Sequence, residues 1–184
     1  MSFNKNLNFT GKHAFLSPSN YHWLDYDEDK MTRYYFEKQQ ARRGDELHAY
    51  AQRAIELGIR QADNGTTLST YINDAIGYRM QAEVPLVYDE NCFGTADACG
   101  FRDSTLRIHD LKTGKIVASM KQLLIYAGIF CYEYRFTPDQ IRIVLRIYQN
   151  DDIAEIEPDP MEMLLVMDRI ATQAKLISYL REED

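Results

Sequence analysis

The chain has 184 residues, 45% of them hydrophobic and 27% charged, with a formal net charge of −7. That length and apolar content fit one globular domain with a sizeable core and exclude a disordered chain. No apolar run approaches the roughly 20 residues of a membrane-spanning helix, and the polar start MSFNKNLNFTGKHAF lacks the apolar core of a signal peptide, so a cytoplasmic protein is expected.

In chain order, residues 1–16 read as an arm. Ser17-Pro18 places a capping residue before a first-turn proline, so a short helix to Trp23 should follow. Asp25 to Asp29 is a solvated acidic turn, and a second helix covers Thr32 to Gln40. Gly44 and Asp45 then punctuate the chain, with Asp45 capping a helix from Glu46 to Leu57. Its stripe is Leu47, Tyr50, Ala51, Ala54 and Leu57. Gly58 stops it, Asp63-Asn64-Gly65 makes a turn, and a weaker helix spans Leu68 to Gln81 with Gly77 inside it.

The period then changes to two. Ala82 to Tyr88 reads as an edge strand, because Pro85 has no N–H for a central ladder. Gly94 to Phe101 and Thr105 to Lys112 are further strands, joined by so short a link that they pair as an antiparallel hairpin. Ser119 caps a helix from Met120 to Tyr134, and Ile141 to Tyr148 is a core strand. The last helix starts well marked, with Asp159 as cap, Pro160 at the first position and Glu162 in the first turn. The result is a mixed α/β domain with one central sheet.

The three cysteines, Cys92, Cys99 and Cys131, form no C-x-x-C pair, so buried thiols are expected in place of disulfides or a metal–sulfur site. The charge is uneven. Residues 1–81 carry ten acids and ten bases, residues 82–148 eight of each, and residues 149–184 ten acids against three bases. The acidic excess therefore sits at the C-terminal end, and the remainder can hold a local basic path.

Chemistry concentrates between Gly94 and Tyr126. Strand alternation puts Leu106, Ile108, Asp110 and Lys112 on one face, with Asp110 and Lys112 at the strand's end. If the hairpin register brings Asp97 opposite, two carboxylates and an ammonium converge. Such carboxylates repel unless a cation lies between them, and hard oxygen ligands select Mg²⁺ or Mn²⁺. Lys112 then serves an attacking water or the developing charge. Gln122 and Tyr126, four apart on one helix face, can position substrate. Taken singly most of these residues read as ordinary: Asp-x-Lys triplets end many strands, and Glu83 reads as a surface strand acid, whereas Asp97, an acid amid Gly, Thr, Ala and Cys, needs a partner if buried.

Together they form a pattern. Gly44-Asp-Glu-Leu-His48, Asp97 in GTAD, Asp110-Leu111-Lys112 and Gln122-Leu-Leu-Ile-Tyr126 resemble the motifs of the PD-(D/E)XK nuclease superfamily, specifically its RecB-like branch as found in phage and prophage proteins. The resemblance spans Ser17 to the end, with Ala96 where the nominal motif has Pro. It implies a restriction-endonuclease-like α/β core, a central mixed β-sheet flanked by helices, as one domain over residues 1–184. It implies that His48, Asp97, Asp110 and the Leu111 carbonyl hold Mg²⁺ or Mn²⁺, while Asp97, Asp110, Lys112, Gln122 and Tyr126 carry catalysis. The activity implied is metal-dependent hydrolysis of DNA, more exonuclease than endonuclease, in phage or bacterial recombination, repair or processing. The implied partners are single- or double-stranded DNA, other copies of the chain, and a phage recombination or single-strand-binding protein. Lys115, Lys121, Arg42 and Arg43 are candidates to track phosphates. The alternatives are a DNA-binding module of the same fold with little catalysis, and a non-enzymatic interaction factor acting through its acidic end.

Overall fold

A computed structural model of the chain describes residues 14–114 and 116–182. These residues fall into two compact units that meet in sequence at Arg42 and Arg43. The first unit contains a 3₁₀ helix, Pro18–Asp25, followed by the opening turns of α1 (Glu28–Leu57). Inside this unit Trp23 Nε1 donates to the Ser17 carbonyl at 3.1 Å, Asn20 donates to the Tyr34 hydroxyl at 2.7 Å, and Phe15 packs on Tyr34 and Tyr35.

The second unit is built on a five-stranded sheet in the order β1 (Gln81–Asp89), β2 (Cys92–Arg102), β3 (Thr105–Leu111), β4 (Arg142–Gln149) and β5 (Asp152–Ile156). All neighbours are antiparallel except β3 and β4, which run parallel. A parallel pair needs a crossover, and α3 (Lys121–Tyr134) supplies it. The remaining elements are α2 (Thr67–Gly77) and α4 (Pro160–Glu182). The sheet is thus mixed and flanked by helices, the expected α/β class.

Two cores form. One joins α3 and α4 to the sheet through Leu86, Ala96, Leu106, Ile108, Leu123, Ile129, Leu145, Met163 and Met167. The other joins α1 and α2 to it through Ala51, Ile55, Tyr71, Ile72, Ala98, Leu111 and Tyr148. At the start of α4, Met161 N–H donates to Asp159 Oδ1 at 2.7 Å, the cap expected from sequence. Pro85 lies on β1, an edge strand as expected.

Three elements differ from expectation. Residues 28–57 form one continuous helix in place of two, and Gly44 lies buried inside it. The helix expected to reach Gln81 ends at Gly77, with Tyr78 as its cap. Residues Asp152–Ile156, to which the sequence assigns no element, form a fifth strand against β4.

The strands also break their own period. Alternate strand residues normally share a face. Yet Ala96 packs in the α3/α4 core and Ala98 in the α1/α2 core. On β1, Val84 and Leu86 belong with the first core and Ala82 with the second. Both strands therefore turn over at the same level, at Asp97 on β2 and Glu83 on β1. Glu83 does so with φ at +50°, a left-handed conformation that costs a non-glycine residue on the order of 1–3 kcal/mol.

Candidate metal centre

The β1–β2 register pairs Ala82 with Ala98 and Val84 with Ala96, which sets Glu83 opposite Asp97. The β2–β3 register pairs Ala98 with His109, which sets Asp97 level with Asp110. Three acids therefore stand in one row across three strands, at the level where two strands invert.

α1 brings in His48. Its Nδ1 lies 3.4 Å from Asp97 Oδ2. Gly44, one turn earlier, explains how the helix comes so near: a Cβ at Gly44 would lie 2.8 Å from Thr113 Oγ1, just past β3. Backbone conformation does not require this glycine; a Cβ there would have to displace the Thr113 hydroxyl. Asp97 Oδ2 also accepts the Leu111 N–H at 2.9 Å, which ties the β2 acid to the end of β3. One ligand atom each from His48, Glu83 and Asp97 lies within 4.8 Å of the other two. Glu83, read from sequence as a surface acid, is thus in the cluster. Its inverted backbone carries the side chain there, and a period-two reading has no signal for that inversion.

Asp110 is drawn toward Lys112. The Lys112 Nζ hydrogen-bonds Asp110 Oδ1 at 2.9 Å and lies 2.8 Å from Oδ2, where the geometry gives no hydrogen bond. The Asp110 side chain is only 3% exposed and that of Lys112 32%. Lys112 also donates to Gln122 Oε1 at 3.1 Å, so α3 holds the ammonium in place. Two of its three N–H donors are thereby used.

Burial pushes both carboxyls above the usual range. For Asp97 the Leu111 N–H, His48 and Lys112 oppose this, and Glu83 adds to it. For Asp110 the Lys112 hydrogen bond opposes it and Asp97 adds to it. Tyr71, buried on α2, feels the same charge: burial first, then Asp97, Asp110 and Glu83, push its phenol well up. Tyr71 is a second member of this environment that sequence reading passed over.

The other expected residues lie as follows. Tyr126 donates its hydroxyl to the Thr95 carbonyl at 2.7 Å, so it pins α3 to β2, and Gly94 makes room, since a Cβ there would lie 2.9 Å from the Tyr126 ring. Leu111 contributes its N–H to the cluster, and its side chain is buried in the α1/α2 core. Lys121 opens α3 and faces an apolar groove between α3 and α4. Arg43 is exposed just ahead of Gly44, and Arg42 belongs to the first compact unit. Lys115 lies outside the described residues.

The donor set suits a hard divalent cation: two carboxylates and an imidazole grouped closely, a third carboxylate in the same row, and a buried Asp110 Oδ2 with no hydrogen bond. No described helix is long and apolar enough to cross a membrane. A family model described as "Protein of unknown function (DUF2800)" matches residues 20–163. No curated protein and no solved structure matches the chain.

Proposed function

We propose that this chain, which belongs to the DUF2800 family, is a metal-dependent nuclease that hydrolyses DNA phosphodiesters. The observation that carries the reading is the row Glu83–Asp97–Asp110 with His48 on one side and Lys112 on the other. A buried carboxylate, Asp110, beside two half-buried ones is costly to a fold unless something positive compensates them. One ammonium is present for three acids, so a divalent cation is the natural complement. His48, Asp97, Asp110 and Lys112 of this site are the residues whose motifs resemble that branch of nucleases; Glu83 is added to them by the register alone.

In this reading His48, Glu83 and Asp97 hold Mg²⁺ or Mn²⁺, with Asp110 completing the set. Such a cation polarises a phosphodiester and makes bound water acidic. Lys112 has one donor left over after Asp110 and Gln122, and it directs that donor at the phosphoryl oxygen where charge develops. Gln122 keeps Lys112 oriented and so acts through it. Tyr126 sets the helix that carries Gln122. The Leu111 side chain and the α1/α2 core back one side of this corner, while Lys112 and His48 stay partly open to solvent.

The test uses end-labelled single- and double-stranded DNA with Mg²⁺, Mn²⁺ or chelator. Wild type should cleave only with metal, and Asp110→Ala, Lys112→Ala and Glu83→Gln should each lose at least about 100-fold in rate, the scale of one removed electrostatic contact in a transition state. The ladder of products separates exonuclease from endonuclease. Absence of metal-dependent cleavage by wild type, or equal cleavage by the variants, refutes the reading; binding without cleavage favours a DNA-binding module.

A further inference from the structure

α4 carries two apolar stripes. Met163, Met167, Ile170 and Ala174 are buried, and the first three belong to the core that α4 shares with α3 and the sheet. At about 100° of turn per residue, these four lie within about 60° of the helix circumference. Met161, Leu165, Leu176 and Tyr179 also lie within about 60°, centred about 180° from the first set, so they face directly away from that core. Leu164 and Leu180 flank them. All six are exposed, by 45 to 67%. A groove of about 580 Å³ that includes Ile125 and Ile177 in its lining continues the apolar surface from α4 onto α3.

A surface helix ordinarily turns charged and polar residues away from its core, so a second apolar stripe opposite the first is the pattern of a helix packed on both sides. At roughly 200 Å² for a fully exposed large side chain, the six leave about 600 Å² of apolar surface open. That is the upper end of what a monomer shows, and most of the roughly 800 Å² that each partner covers in a standard interface. The stripe is also patterned by charge. Its apolar residues form two clusters, Met161 with Leu164 and Leu165, and Leu176 with Tyr179 and Leu180. Between the clusters Asp168 and Lys175 stand seven positions apart, on the same edge of the stripe. A parallel copy of α4 would set Asp168 against Asp168 and Lys175 against Lys175. An antiparallel copy sets each acid against a base.

We propose that the outer face of α4 binds a second copy of this chain, the two α4 helices packing antiparallel about a twofold axis at Ala171 and Thr172. In that register Asp168 lies opposite Lys175 of the partner subunit, and the twofold axis repeats the pair. The Met161–Leu165 cluster meets the Leu176–Leu180 cluster of the partner subunit, again twice. The small side chains of Ala171 and Thr172 fall at the crossing, where two helices approach most closely. The contact is isologous, so it closes at two copies and leaves no half of the stripe open. It draws on none of the residues of the metal row.

Sedimentation of the full chain in EDTA, over about a hundredfold concentration range up to about 0.1 mM, reads the mass directly. Wild type should reach twice the monomer mass with a dissociation constant at or below about 10 μM, the weak end for an interface of this area. Leu165→Ser/Leu176→Ser should stay monomeric throughout and, at dilution, melt as wild type does, because both side chains are exposed in the single chain. Ile116→Ser/Val117→Ser removes two exposed apolar side chains from the loop before α3 and should dimerise as wild type does. Asp168→Lys and Lys175→Asp should each weaken the dimer about 10- to 100-fold, since each sets like charges together twice. The swap Asp168→Lys/Lys175→Asp should recover most of that loss. The proposal is overturned by a wild type that remains monomeric at about 0.1 mM, by a Leu165→Ser/Leu176→Ser variant that still dimerises, by a loop control that dissociates equally, or by a swap that binds no better than the single reversals. Cleavage enters none of these readouts, so the dimer and the nuclease reading stand or fall separately.

Discussion

Lys112→Ala in metal-free protein isolates what holds Asp110. The side chain of Asp110 is 3% exposed, and Lys112 Nζ is the cation against it. Stripping one partner from a fully buried pair costs about 3–5 kcal/mol, and from an exposed pair about 0–1. Lys112 is a third exposed, and Asp110, whose carboxyl burial already pushes up, can relieve itself by taking a proton. A loss of about 2 kcal/mol follows, or roughly 4–8 °C for a domain of this size. Calorimetry near neutral pH with EDTA reads it. The loss should shrink in Asp110→Asn/Lys112→Ala, where no charge is stranded. Saturating Mn²⁺ should restore most of it to Lys112→Ala and little to the double variant, because a divalent cation takes over from the ammonium. A melting temperature for Lys112→Ala equal to wild type would mean that Asp110 is solvated, and the argument for a cation at this row would fall with it.

Other outcomes follow from the same site and its surroundings. Asp97 and Asp110 have carboxyls raised in the native state, so the stability they contribute is full below the ordinary carboxylate value and is lost as pH rises through their native values. Urea midpoints in EDTA should therefore fall as pH rises above the ordinary carboxylate value of about 4, and Asp97→Asn/Asp110→Asn should flatten that slope; a midpoint that climbs with pH in wild type contradicts the assignment. Gly44→Ala should weaken Mn²⁺ binding, measured calorimetrically, because its Cβ meets Thr113 Oγ1 at 2.8 Å and pushes His48 away. Adding Thr113→Ala should recover the affinity; no recovery means that the contact is not the cause. Burial pushes the Cys99 thiol up to about 12 and that of Cys131 up to about 11, so a thiol reagent near neutral pH should modify native protein at Cys92 first. Mass mapping that finds Cys99 modified first would overturn that order.

The order His48, Asp97, Asp110, Lys112, Gln122 was legible only through the resemblance of its motifs to a known nuclease branch, and the structure brings His48 to Asp97 and Lys112 to both Asp110 and Gln122. Glu83 was not legible. It has an ordinary strand neighbourhood, and only the inversion at φ +50° carries its side chain into the cluster. Gly44 misled in the opposite direction: a mid-helix glycine costs about 1 kcal/mol in propensity, so it reads as a stop, yet tight approach to Thr113 keeps it inside α1. β5 was hidden because its residues are almost all exposed, and no apolar alternation marks a strand that buries so little.

The single parallel pairing has a consequence for the order of assembly. β1, β2 and β3 are joined by tight turns, so Glu83, Asp97 and Asp110 meet through contacts that are short in sequence. β4 must instead return across the whole of α3, from Leu111 to Arg142, a closure that costs about 3 kcal/mol in chain entropy before any β3–β4 contact repays it. The acids should thus crowd together early, before β4 is in place, and their mutual repulsion then falls on the folding barrier. Refolding of the metal-free chain should accelerate as pH drops, and Mn²⁺ should act chiefly on the folding rate and only weakly on the unfolding rate. Stopped-flow measurement of both rates, with and without Mn²⁺, decides it; an effect confined to unfolding would mean that the row closes only after β4 has docked.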